Sequence, residues 1–104
     1  MDRHIQMSYL MDIYSMLLTE KQKKVMEYYY SDDLQISEIA KLLDISRQGV
    51  HDALRRTEKI LEDYDKRLGL FDKYMKNVSL LDRIKDIAKN DEISELAEEI
   101  KNNL

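Results

Sequence analysis

Proline is absent from this 104-residue chain, and glycine occurs only twice, as Gly49 and Gly69. Sandwiches and barrels reverse their strands with frequent turn residues. A chain without them is expected to be all-α. Hydrophobic residues make up 43% and charged residues 37%, which is too apolar for a disordered chain and implies helices with well-solvated outer faces. One domain spanning 1–104 is expected at this length. Cysteine is absent, so neither a disulfide framework nor a thiolate site can form.

The apolar spacing divides the chain. Ile5, Tyr9, Ile13, Met16 and Leu17 form one helical stripe, widened by Met7, Leu10, Met11 and Tyr14. Polar residues interrupt it too often for a signal peptide or a membrane span. Thr19 and Gln22 stand at capping-box spacing, opening a helix over about 20–30 with Val25, Met26 and Tyr29 inward. Tyr28, Tyr29 and Tyr30 point in different directions on a helix. They are therefore read as packing rather than as a platform for stacked bases.

Ile36, Ile39, Ala40 and Leu43 predict a short amphipathic helix. Asp44 and Ile45 predict a turn, and Ser46 an N-cap. The next helix carries Val50, Leu54, Thr57, Leu61, Tyr64 and Leu68 in a heptad-like seam, broadened by Ala53 and Ile60. It should end at Gly69. Beyond it, Leu70, Phe71, Tyr74 and Met75 suggest a short helical piece and Ser79 with Asp82 a new start. Leu80, Leu81, Ile84, Ile87 and Ala88 would be the stripe of that helix. Asn90 or Asp91 should cap a last helix with Ile93, Leu96, Ala97 and Ile100 on one face. The expected plan is a helix-turn-helix core over 18–68, preceded by an N-terminal helix and followed by an acidic helical hairpin over 70–104.

A helix-turn-helix needs a small residue where its helices cross, an apolar residue in the turn, and apolar residues that lock the second helix. Ala40, Ile45, Val50 and Leu54 supply them. If this motif reads DNA, the second helix enters the major groove with Arg47, Gln48, His51, Asp52 and Arg55 toward base edges, and Arg56 and Lys59 toward the backbone. Ser46 and the amides beside it could hold a phosphate. Charge cuts both ways. The chain has net charge −4, and 46–60 is the only segment with a positive balance. A plainer reading makes Arg55, Arg56 and Lys59 a solvated face paired with Asp52, Glu58 and Asp63.

Residues 18–61 resemble sigma-factor region four, the module that reads promoter DNA, through Leu18, Gln22, Val25, Tyr29, Tyr30, Asp33, Glu38, Ile39, Ala40, Leu43, Ile45, Ser46, Arg47, Val50 and Leu54. TEKQ, the YY-x-DD loop, ISRQ-x-V-x-D and R-x-EK-x-LEDY-x-x-x-LGL are jointly specific for a closer resemblance, to the YlxM family of small bacterial proteins, and nearly the whole chain fits. That resemblance implies a regulatory role in the signal recognition particle pathway, because YlxM members are encoded beside the particle's protein component. Gly49 departs from the family pattern, where Ala is expected, and glycine costs a helix interior about 1 kcal/mol relative to alanine.

Catalysis is not expected. His4 and His51 have no second ligand at metal spacing and are read as surface residues. No glycine-rich phosphate loop is present, and no cofactor is called for. The expected partners are DNA, or protein or RNA components of the signal recognition particle as an adaptor's targets. A second copy is also expected, suggested by the apolar breadth of 5–17 and the seam of 50–68. The expected location is cytoplasmic, without membrane insertion.

Overall fold

A computed structural model describes residues 1–104, and every regular element in it is helical. In chain order these are α1 (Arg3–Tyr14), a 3-10 turn (Ser15–Leu17), α2 (Glu20–Met26) running into a π-helical turn (Glu27–Ser31), α3 (Ile36–Leu43), α4 (Arg47–Leu68), α5 (Leu70–Ile87) and α6 (Asp91–Asn102). They form two compact units, Met1–Leu68 and Gly69–Leu104. The boundary is Gly69, in the left-handed region at φ 63°, a conformation that costs glycine least. No helix is long and apolar enough to cross a membrane.

In the first unit α4 is the hub, packing against α1, α2 and α3. Val50, Leu54, Thr57 and Leu61 are buried along one side of it. The upper part of the expected seam is therefore consumed by the unit's own core, and Leu68 at its far end is exposed. The buried Thr57 hydroxyl donates to the Ala53 carbonyl at 2.8 Å, so this polar group in the core is satisfied. Tyr14 donates to Asp65 at 2.6 Å and stacks on Tyr64, with ring centroids 6.1 Å apart, tying the end of α1 to α4.

Two expectations about inward faces are corrected. On α1 the buried residues are Met7, Leu10, Met11 and Tyr14, whereas Ile5, Met16 and Leu17 are exposed. Two apolar stripes compete on that helix, and α4 accepts the one with the longer side chains. On α2 the capping box of Thr19 and Gln22 forms as expected, but Tyr30 is buried and Tyr29 only half-buried. The cause is the π turn, in which Asp32 N–H donates to Glu27 O at 2.9 Å, five residues back. The wider turn rotates Tyr30 inward, in register with Val25 five positions earlier.

In the second unit α5 is unbroken from Leu70 to Ile87, correcting the expected start at Ser79. No Pro or Gly interrupts the segment, and Ser79 lies in mid-helix where a cap has nothing to satisfy. Asn90 does cap α6, accepting from Glu92 N–H at 2.8 Å. The two helices form a hairpin bridged by Lys85–Glu98 at 2.6 Å and Lys101–Asp82 at 3.1 Å. Only Leu81 and Ala97 are buried in it. The expected core residues Leu80, Ile84, Ile87, Ile93, Leu96 and Ile100 are exposed, again a correction. Two helices alone offer each apolar stripe a single partner, so a stripe wider than the contact line stays outside.

Candidate nucleic-acid interface

The corner between α3 and α4 is built by Asp44, whose left-handed conformation (φ 53°, ψ 47°) ends α3. Ile45 N–H then reaches back to Ala40 O at 3.1 Å. This closes the helix end in the way a glycine usually does, with an acid able to tolerate the conformation. Ala40 is buried at the crossing, Ile39 and Val50 are fully buried, and Leu54 lies beneath α4. Ser46 Oγ accepts from Gly49 N–H at 2.9 Å, the N-cap the sequence predicts. A Cβ at Gly49 would lie 3.2 Å from that oxygen and 3.5 Å from Ile45 Cδ1. The corner is tight at the position where alanine was expected.

Arg47, Gln48, His51, Asp52, Arg55, Arg56 and Lys59 are all exposed. At about 100° per residue they occupy roughly one half of the α4 circumference, opposite the buried Val50, Leu54, Thr57 and Leu61, over about 18 Å of helix. The fold therefore brings the sequence-predicted residues onto one surface. Their pairing is not the plain one. Glu58 is turned away from Arg55, Arg56 and Lys59 and accepts from the Tyr30 hydroxyl and, at 3.3 Å, from Arg3. Arg3 also bridges Glu62 at 2.9 Å, which holds the guanidinium above its ordinary pKa. Asp52 accepts from Gln48 Nε2 at 3.0 Å rather than from an arginine. The expected ion pairs on this face are thus absent, and Arg47, Arg55, Arg56 and Lys59 have no acidic partner.

Two lysines that the sequence reading did not single out flank the same surface. Lys21 and Arg56 line a cleft of about 360 Å³ between α2 and α4, floored by Gly49 and Ala53. Lys41 and Arg47 line a concavity at the opposite side of the α3–α4 corner, beside Ser46. Lys21 stands in the first turn of α2 and Lys41 in the last turn of α3. That placement was the available signal.

His4 departs from its reading as a surface residue without a partner. Its Nε2 lies 3.1 Å from the Tyr30 carbonyl, to which an N–H there donates, and its ring sits 4.8 Å from that of Tyr30. His51 is exposed on α4. No group of three or more His, Cys, Asp or Glu is placed to hold a metal ion.

A short helix crossing a longer one over a tight apolar corner, with the longer helix exposing its polar N-terminal half, defines a helix-turn-helix protein. The family described as "Putative helix-turn-helix protein, YlxM / p13 like" matches residues 1–102, and the chain belongs to it. It is 45% identical over 95 residues to the UPF0122 protein of Shouchella clausii, covering 91% of this chain and 87% of that one. The corresponding protein of Halalkalibacterium halodurans is 43% identical with the same coverage. That of Exiguobacterium sibiricum is 47% identical over 87 residues, or 84% of this chain and 82% of the relative. The family is described as one of helix-turn-helix proteins.

Proposed function

We propose that the first unit is a DNA-binding regulatory module that inserts α4 in the major groove, in the manner of sigma-factor region four. The observation that carries this reading is the row of unpartnered cations on α4, together with the diversion of Glu58 and Glu62 to Arg3. Arg47 and Arg55 meet guanine edges or phosphates. Gln48 presents its amide to adenine once its bond to Asp52 opens. Lys21 with Arg56, and Lys41 with Arg47, face the phosphates on the two sides of the groove, where most affinity arises. The resemblance to YlxM supports placing this regulator in the signal recognition particle pathway, acting in the cytoplasm.

The test is fluorescence anisotropy with a pool of random duplex DNA across a salt series. Binding should weaken steeply with salt, and each of Lys21→Ala, Lys41→Ala and Arg56→Ala should flatten the logarithmic slope by about one. Absence of binding at low salt sinks the reading.

A second reading is favoured by the acidic balance, −4 for the whole chain. The chain then acts as an adaptor that contacts protein or RNA components of the targeting machinery without touching DNA. Exchanging Arg47 and Arg55 for Glu separates the two. It abolishes binding under the first reading and leaves a pull-down of targeting components intact under the second.

A further inference from the structure

The hairpin of α5 and α6 has two unlike faces. Its ion pairs, Lys85–Glu98 and Lys101–Asp82, lie on one of them. They also fix the register, so that each step along α5 matches one step back along α6. In that register Ile87 is level with Leu96, Ile84 lies within one residue of Ile100, and Leu80 stands beside the end of α6, within one residue of Leu104. At about 100° per residue the five helical side chains Leu80, Ile84, Ile87, Leu96 and Ile100 fall on the face opposite the ion pairs, and Leu104 follows two residues beyond the end of α6. All six are open to solvent, from 40% at Ile84 to 75% at Ile87. They leave roughly 600 Å² of apolar surface uncovered, at the top of the range for the largest patch on a monomer and close to the ~800 Å² that each partner gives to a stable interface. Beneath it only Leu81 and Ala97 are buried, too little for two helices to hold each other unaided.

The charges at the borders of this face decide what covers it. α5 carries four cations against three acids, and α6 five acids against Lys101. On the outer border along α5 stands Arg83, and on the outer border along α6 stands Glu99, both exposed and outside every ion pair of the hairpin. They lie within one residue of the same height. A second copy laid face to face, related by a twofold axis parallel to the helices, sets α5 over α6 and α6 over α5. Arg83 of each copy then meets the acidic border of the other, and every helix runs antiparallel to both neighbours. Turning the second copy end over end would put basic border on basic border and acid on acid. The surface is thus complementary to itself in one orientation, as a twofold contact requires.

From this we infer that the face formed by Leu80, Ile84, Ile87, Leu96 and Ile100 is a dimerisation surface for a second copy of this chain, closing an antiparallel four-helix bundle from two hairpins. The proposal is independent of DNA binding and uses neither the α1 stripe nor the α4 seam.

Light scattering of the full chain at micromolar concentration should give twice the 12.5 kDa of one copy. Ile84→Glu and Leu96→Glu, both at exposed positions, should each return the mass to that of one copy with helix content retained by circular dichroism. Arg83→Glu or Glu99→Arg alone should raise the dissociation constant several-fold, and the two together should restore it. Ile5→Glu on α1 should leave the dimer intact. A wild-type monomer, whether or not it captures another protein, overturns the proposal. So does a dimer that survives Ile84→Glu and Leu96→Glu, or one lost through Ile5→Glu. Failure of the charge exchange to restore association overturns the α5-over-α6 arrangement.

Discussion

Glu58→Ala should destabilise the first unit several times more than Glu62→Ala, although both residues accept from the same arginine. The Arg3 side chain is 60% exposed, and an ion pair so solvated contributes about 0–0.5 kcal/mol. Loss of Glu62 removes that and nothing more. Glu58 also accepts from the hydroxyl of Tyr30, a residue 8% exposed. Stranding a buried hydroxyl costs about 1–3 kcal/mol. The expected total for Glu58→Ala is therefore about 2 kcal/mol, or roughly 10 °C in melting temperature for a unit of this size. The small gain in helix propensity is common to both variants and cancels. Urea unfolding followed by circular dichroism gives the two costs. A cycle with Tyr30→Phe isolates the hydroxyl, and the pair should couple by about 1 kcal/mol or more. Equal costs for the two glutamates, or an additive cycle, would refute the reasoning.

Tyr30 is pushed above the ordinary tyrosine pKa, first by burial and then by its bond to Glu58. A group raised in the folded state contributes fully below its unfolded pKa, so stability should fall as pH climbs above about 10. Absorbance titration should show the Tyr30 phenol resisting ionisation until the fold opens, a contribution that Tyr30→Phe removes from the difference between folded and unfolded protein. Gly49→Ala should stabilise by roughly 0.5 kcal/mol in urea, the gain of about 1 kcal/mol in helix propensity being reduced by the 3.2 Å approach to Ser46 Oγ. A net loss would mean that the cap shifts. Ser46→Ala should cost about 1 kcal/mol as a lost N-cap. In the hairpin, Lys85 holds Glu98 below the ordinary carboxylate range. That contribution is present above the unfolded pKa and lost as pH falls through the lower, folded one. Protection factors of the α6 amides, which take out the slower intrinsic exchange in acid, should fall as pH drops, and Glu98→Gln should remove most of the difference.

The elements were legible where local chemistry decides them. The Thr19 box, the Ser46 and Asn90 caps and the stop at Gly69 each satisfy helix-end groups with a neighbouring residue, so spacing reveals them. Which face turns inward was legible only where one apolar stripe exists, as on α4. On α1 two stripes compete, and the choice depends on α4, a long-range partner that periodicity does not contain. The π turn at Glu27–Ser31 changes the period itself, which is why Tyr30 and not Tyr29 enters the core. In the hairpin, apolar spacing implied a core, but the number of helices available to cover it is not a local property.

The surface of α4 was legible as a set of residues and not as an electrostatic object. Sequence proximity suggested that Asp52, Glu58 and Asp63 would neutralise Arg55, Arg56 and Lys59. On a helix, however, Glu58 lies on the flank nearest α1 and the π turn, where Tyr30 and Arg3 compete for it at close range. A charge pair more than a Debye length apart, about 8 Å at physiological salt, is largely screened, so the chain's net −4 bears little on a ligand touching α4. What matters is the acids within reach of that surface. Asp52 is the one in its midst, and it is held by Gln48. Asp52→Asn should therefore strengthen association with duplex DNA and leave folding stability nearly unchanged, because its bond to Gln48 is exposed and survives in the amide. Paired anisotropy and urea measurements check both halves. Unchanged affinity would mean that the α4 surface does not meet phosphate.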